Sequence, residues 1–439
     1  MTDARDLKRQ LGLLDAASIF VGIILGSGIF VAPAAVAAAA PSAWVGALLW
    51  IAGAVVAACG ALCYAECGAR LPRTGGFYVF YREAYGAPVA FVGGFAAVLV
   101  TYPASIAAIS LVLSRYLAEV LPVGRGETWV AAGALLLAGA LNVLGVRFGA
   151  GAQKLLSATK VSALAALSIA ALLASAPPAE AAAARSAAPA SASAAALLGA
   201  MVVLLWTYDG WSDVTLIAGE IREPGRNLGR AVLLGSALLA GLYLLVQASV
   251  AALLPAGRAA VSDRVVADAV EQGLGPAAGK LVALLVVLCT FGAIHGAVFT
   301  ASRLGFAMAR DGRFPAWFGA VHPSRGTPTR STAGLVAAAL VYVSVSGFGN
   351  LLAFFSFSVW IFYGLTAAAL LVLRRRGVGS PPTWKAPGGV VPPIVVLATA
   401  VGMTASLMAQ DPKRSLIGLA LLLAGFPAYR IWTRWAPRP

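Results

Sequence analysis

Three short patterns in this chain put polar or helix-weakening residues where apolar neighbours exclude water. The first is Gly26-Ser27-Gly28, within the apolar run Val21–Phe30 and followed by Pro33. Two glycines flanking a serine weaken a helix. The second is Leu205-Trp206-Thr207-Tyr208-Asp209-Gly210-Trp211, which interrupts another apolar run in the same way. The third is Lys160, within Ser157-Ala158-Thr159-Lys160-Val161-Ser162. In lipid, a backbone freed by a helix break is tolerated only where it lines a cavity, and there it can hold a small polar solute. The spacing Gly22-xxx-Gly26 equally fits close helix packing. Asp209 needs a cation, a proton or a capping role. It serves either as counter-charge to a bound cation or as cap to the half-helix that begins at Gly210-Trp211-Ser212. Lys160 lies six residues beyond Lys154, about 9 Å along a helix. It either snorkels or faces the protein interior.

The elements that must position these groups are membrane helices. The chain has 439 residues, 60% hydrophobic and 11% charged, against about 25% charged in soluble domains, and its mean hydropathy is +0.87. Apolar segments of roughly 20 residues recur throughout. With twelve spans and both termini cytoplasmic, most of the 32 Lys and Arg fall on the cytoplasmic side, the asymmetry of a membrane protein rather than a nucleic-acid-binding stripe. The net charge of +15 therefore reports topology, and no nucleic acid is expected as partner. Cys59, Cys63 and Cys67 repeat along one helix face, and with Cys289 they read as packing residues. With two histidines, His295 and His322, no metal site or cofactor is indicated. Gly275-Pro276-Ala277-Ala278-Gly279-Lys280 is one residue short of a P-loop, and Leu281 replaces its Ser or Thr. Ser27, Glu66, Asp209 and His295 form no catalytic motif, so an enzyme is not expected.

The predicted order starts with a tail at 1–10, then spans at 11–40, 43–69, 88–120, 128–146 and 152–175. Residues 70–86 read as a polar, Gly/Pro-punctuated loop, and 176–196 as an Ala/Pro/Ser-rich external loop. Spans follow at 197–219, 230–254, 279–309, 330–347 and 350–373, with a short external helix within 258–277. A cytoplasmic loop at 374–390, spans at 391–409 and 415–433, and a tail at 434–439 complete the chain. The two broken spans are the first and the sixth. An offset of five spans makes 11–175 and 197–373 repeats of opposite orientation, with 391–433 added, which points to a midplane site and alternating access.

The motifs Gly26-Ser27-Gly28-Ile29-Phe30, Cys63-Tyr64-Ala65-Glu66, Pro72-Arg73-Thr74-Gly75-Gly76, Tyr208-Asp209-Gly210-Trp211 and Phe299-Thr300-Ala301-Ser302-Arg303 occur in this order. Together they resemble the amino acid–polyamine–organocation superfamily, and within it the L-type amino acid transporters. The resemblance implies an all-α polytopic membrane protein with a leucine-transporter-like fold of five plus five inverted spans and two more. It also implies transport of L-amino acids, often by exchange, across what would be a bacterial plasma membrane. Under it, Ile24, Gly26, Ser27, Gly28, Trp206, Tyr208 and Asp209 bind substrate. N–H groups after Gly28 take the carboxylate, and carbonyls near Ile24, Trp206 and Asp209 take the ammonium group. Trp206 is the aromatic gate, and a side chain at Gly28 would press on the ligand. Lys160 stands where sodium-coupled relatives bind a structural sodium, which implies sodium-independent transport. Residues 121–128 lack the cysteine that animal members bond to a heavy chain, so no disulfide-linked heavy chain is expected. A proton-coupled symporter and a non-transporting sensor remain alternatives.

Overall fold

A helix satisfies its own backbone hydrogen bonds, so lipid-exposed apolar segments of this length fold as helices. The computed structural model describes residues 7–121, 126–174, 193–345, 348–379 and 384–435, together with the side chains outside 348–357 and 435. Its regular structure is helical, apart from one isolated parallel bridge between Leu11 and Ile221. In chain order the helices are α1 (Leu13–Ile24), α2 (Ala32–Ala39), α3 (Ala43–Arg70), α4 (Phe77–Tyr85), α5 (Ala87–Ala118) and α6 (Glu127–Val143). Then come α7 (Val146–Ala174), α8 (Ala194–Thr207), α9 (Pro224–Leu253), α10 (Ala256–Ala260), α11 (Val265–Leu274) and α12 (Ala277–Arg310). Last are α13 (Thr329–Val345), α14 (Phe348–Arg376), α15 (Val391–Gln410), α16 (Pro412–Leu423) and α17 (Gly425–Trp435).

Among the described residues eight helical stretches are long and apolar enough to cross a membrane: α3, α5, α7, α9, α12, α15, Ser358–Arg376 of α14, and Pro412–Arg434. Four shorter apolar helices, α1, α6, α8 and α13, account for the remaining predicted spans. The protein is an all-helical, multi-pass integral membrane protein. α5 and α12 are mostly buried and form its centre, whereas Pro412–Arg434 is mostly exposed at the edge. The 34 residues of α12 extend about 51 Å, well beyond a hydrocarbon core of about 30 Å. Its far end can therefore carry Arg303 and Arg310.

Three expectations need amendment or lie beyond view. The stretch read as a polar loop at 70–86 contains α4, whose Phe77, Tyr78, Val79, Phe80 and Tyr81 are buried. Tyr81 and Tyr85 donate to the carbonyls of Phe362 and Leu365 at 2.7 and 2.8 Å, which plates α4 onto α14. Aromatic residues at helical spacing outweighed the flanking Gly and Pro. The helix of the fifth span starts at Val146, ahead of the predicted span start at 152, because the turn is completed by Gly145 at φ +148. Most of the Ala/Pro/Ser-rich loop, residues 122–125 of the stretch without the heavy-chain cysteine, and parts of both tails lie outside the described residues.

Two buried ionic clusters pin the helix ends on one side. Glu66 accepts from Arg70, Arg374 and the Ala386 N–H at 2.6–3.1 Å, joining α3 to α14 and to the loop after it. Arg303 on α12 makes a two-pronged pair with Glu220 at 2.8 and 3.0 Å, both side chains fully buried. The Glu220 carbonyl accepts the N–H groups of Gln10 and Leu11, and Arg222 N–H donates to the Leu11 carbonyl, so the pair also anchors the start of the chain. Removing one partner of such a pair strands a charge, at about 3–5 kcal/mol. Glu220→Gln is thus expected to lower the thermal unfolding temperature in detergent. The double change Arg303→Met, Glu220→Leu should recover most of that loss, and an unchanged melting curve for Glu220→Gln would refute the assignment.

Candidate functional site

The break in the first segment follows from its sequence. α1 ends at Ile24; the Leu25 N–H reaches Val21 O and the Gly26 N–H reaches Ile24 O, at 2.9 and 2.8 Å. A 3-10 turn over Gly28–Phe30 then leads into α2, which carries Pro33 in its first turn. The second break mirrors it. α8 ends at Thr207, Gly210 adopts φ +105, and a 3-10 segment runs over Asp213–Glu220.

Glycines lock the two breaks together. A Cβ on Gly28 would meet Thr207 Cα and Oγ1, each at 2.8 Å, and one on Gly210 would meet Ile23 Cγ2 at 2.8 Å. A side chain at Gly28 therefore presses on the end of α8 rather than directly on a ligand. The two readings of Gly22-xxx-Gly26 divide between its glycines. A Cβ on Gly22 would overlap Gln153 and Ser157 of α7, at 1.9 and 2.4 Å, whereas Gly26 has its nearest neighbour at 3.7 Å and borders a cavity. One glycine packs, and the other opens.

The carbonyls freed by the breaks find partners in the protein. Lys160 is fully buried and its ammonium group donates to Gly22 O at 2.5 Å, Leu25 O at 2.8 Å and Cys289 O at 3.4 Å. It faces inward, tying the end of α1 to α12, while Lys154 pairs with Asp15 at 2.8 Å. Tyr243 of α9 reaches the carbonyls of both Ile24 and Thr207, at 3.2 and 3.4 Å, so one hydroxyl serves the ends of both interrupted helices. Since the Ile24 carbonyl also accepts from Gly26, it has less capacity left for an ammonium ligand than unwinding alone implies.

Between the breaks lies a cavity with about 90 Å³ of room for the centres of water-sized molecules, enough for several waters or one small solute. Ile24, Gly26, Ser27, Gly28, Trp206 and Asp209 all border it. Tyr208 does not; it packs against Trp50 and Tyr243 behind the break. Lys160 also lies behind the break, off the cavity wall. Asp209 accepts from the Tyr363 hydroxyl of α14. The wall further includes Asp213 and Tyr102, which sequence reasoning did not single out. Asp213 had a readable signal, a second acid four residues after Asp209 on the same interrupted segment. Tyr363, 154 residues from its partner, had none.

The cavity follows α5 from Ala97 to Val112, about 22 Å of helix. A π-helical turn over Ala97–Thr101 widens α5 beside it, a feature common at functional sites. Pro103 has no N–H for the carbonyl one turn back, and Tyr342 of α13 donates to that carbonyl, Leu99 O, at 3.1 Å instead.

Comparison with known proteins places the sequence among membrane transporters. Residues 11–424 match the amino acid permease family. The human b(0,+)-type amino acid transporter 1 is 31% identical over 436 residues, covering 98% of this chain and 89% of that one. The mouse large neutral amino acids transporter small subunit 2 is 31% identical over 441 residues, covering 99% and 82%. The serine/threonine exchanger SteT of Bacillus subtilis is 28% identical over 432 residues, covering 98% of each.

The glycine interlock has a direct test. Gly28→Ala forces a methyl against α8 backbone and should cost about 1–3 kcal/mol through overpacking, lowering uptake by roughly fivefold or more while the protein still reaches the membrane. Thr207→Ala in the same chain removes Oγ1 but not the backbone contact, so rescue should be partial. Near-normal uptake by Gly28→Ala would contradict the contact.

Proposed function

The chain belongs to the amino acid permease family, within the amino acid–polyamine–organocation superfamily and similar to its L-type members, and from that premise we propose that it is a sodium-independent exchanger of L-amino acids. It is a transporter-family protein and not an enzyme. The observation that carries the proposal is a pair of interrupted helices facing one cavity, with a buried lysine bound to the carbonyls behind the first interruption. In this reading 11–175 and 197–373 are the inverted repeats of a leucine-transporter-like fold, and 391–433 adds two spans. With the termini cytoplasmic, the cavity reaches along α5 toward the external side, while α4 and the Arg303–Glu220 pair close the cytoplasmic side.

The substrate α-carboxylate meets the N–H groups that lead into α2, where the helix dipole is positive, and Ser27 adds its hydroxyl. The α-ammonium group lies by the carbonyl-rich ends of α1 and α8. Trp206, half-buried on the cavity wall, covers the solute. Relatives named for neutral and for b(0,+)-type amino acid transport support a cargo of neutral amino acids, and Asp209 on the wall extends it to cationic ones. Lys160 supplies from the chain itself the positive charge that would otherwise require an ion. It holds α1 on the scaffold while the half-helices rearrange.

The test is uptake of labelled amino acids into liposomes containing the purified protein. Replacing sodium with choline should leave the rate within about twofold, and unlabelled amino acid inside should raise it. Lys160→Ala leaves buried carbonyls without a donor, at about 1–3 kcal/mol, and should cut turnover about ten- to a hundredfold with a smaller effect on binding. A strict sodium requirement of the unmutated protein would overturn the role given to Lys160. Equal uptake into amino-acid-free and loaded liposomes would overturn exchange.

A further inference from the structure

The cavity has a charge imbalance. Two carboxylates, Asp209 and Asp213, border it, and among the described residues no lysine, arginine or histidine does. The fully buried Arg303 is already paired with Glu220, and Lys160 with backbone carbonyls. A zwitterionic amino acid with a neutral side chain brings one positive and one negative group, so it leaves the wall's excess negative charge unanswered. Unanswered carboxylates within a membrane are costly.

Each carboxylate is held by a tyrosine from a different helix. Tyr363 of α14 donates to Asp209. Tyr102 of α5 donates to Asp213 Oδ1 at 2.9 Å, and the Ser212 hydroxyl lies 3.1 Å from the same oxygen. Both bonds to Asp213 thus end on Oδ1, and the side chain is 6% exposed on the cavity wall. Among the described residues no donor is bonded to Oδ2, so a carboxylate oxygen on the cavity wall, in a group oriented by two hydroxyls, is available to a ligand. Tyr102 itself sits just after the π-helical turn of α5 and also borders the cavity. The turn, the tyrosine and the acid make one wall of it.

We propose that Asp213, oriented by Tyr102 and Ser212, is a specificity-determining residue that together with Asp209 receives the positively charged end of a cationic amino acid side chain. The inference rests on amino acid transport by the same cavity. It adds a second carboxylate to Asp209 and makes an ammonium or guanidinium side chain the preferred cargo. A guanidinium presents five donors in a planar fork against three on an ammonium group, which suits two carboxylates better, so arginine should be favoured over lysine.

The experiment compares labelled arginine, lysine and leucine uptake into liposomes holding the full-length protein, with thermal stabilisation of the unmutated protein by arginine and by its uncharged near-isostere citrulline as a readout independent of any variant. Asp213→Asn keeps the shape and the Tyr102 contact. It should raise the KM for arginine about tenfold or more and leave that for leucine within about twofold. Tyr102→Phe should shift arginine in the same direction by less, and Asp213→Glu should restore part of the arginine preference. Stabilisation by arginine but not citrulline supports the proposal. Equal losses for arginine and leucine would mean a structural role and overturn it, as would unchanged arginine uptake. Leucine uptake that acidifies the liposome lumen, with the acidification lost in Asp213→Asn, would make Asp213 a proton carrier and overturn it too. Leucine transport without arginine or lysine transport refutes this inference alone. No uptake or stabilisation by any of the three amino acids refutes amino acid transport itself.

Discussion

Lipid offers no hydrogen bonds, and the rest of this structure depends on that constraint. A helix may be interrupted in the membrane only if other side chains take over its backbone partners, and here they do so from neighbouring helices. Lys160 takes two carbonyls at the end of α1 and reaches a third on α12. Tyr243 reaches the last carbonyl of both α1 and α8. Tyr342 replaces the donor that Pro103 lacks. Each substitute comes from a different helix, so the interruptions are held by the bundle rather than by their own segments.

Charge obeys the same rule and divides the acids of the interior and cavity wall into two kinds. Glu66 and Glu220 are fully matched by arginines, and Glu66 by a backbone N–H as well. These groups fasten helix ends, and their energetic role is structural. Asp209 and Asp213 are oriented by tyrosine hydroxyls, and among the described residues no cation stands beside them on the cavity wall. Hydroxyls fix a carboxylate in place without neutralising it. The matched acids hold the fold, and the unmatched ones face the cavity.

The two sides of the cavity differ in what would have to part for passage. On the side of the ionic clusters, α4 lies against α14, Gly75 N–H bonds Leu216 O at 2.9 Å, and the chain start pairs with residues 220–222. Opening there requires breaking several buried polar contacts together. Along α5 the wall from Ser105 to Val112 is lined by small and aliphatic residues, whose separation exposes little that must be rehydrated.

Most of the helix inventory was legible in the sequence, because lipid imposes one solution on each apolar run of sufficient length. Gly26-Ser27-Gly28 and Asp209-Gly210 marked both interruptions, since glycines and a carboxylate in such runs weaken a helix wherever they occur. The small residues around Lys160 already favoured burial over snorkelling, but which carbonyls it binds depends on which helix lies alongside. Tertiary structure decided the rest. It made α4 a buried helix by giving its aromatic face a partner in α14. It turned Tyr208 away from the cavity and Asp213 onto it, although both sit on the same interrupted segment. It chose Tyr243, Tyr363 and Tyr342 as partners for groups far away in the chain. Local pattern fixes where a backbone is weak, because that depends on residue type and immediate neighbours. Which side chain answers the weakness depends on packing across distant segments, and no spacing in the chain encodes that distance.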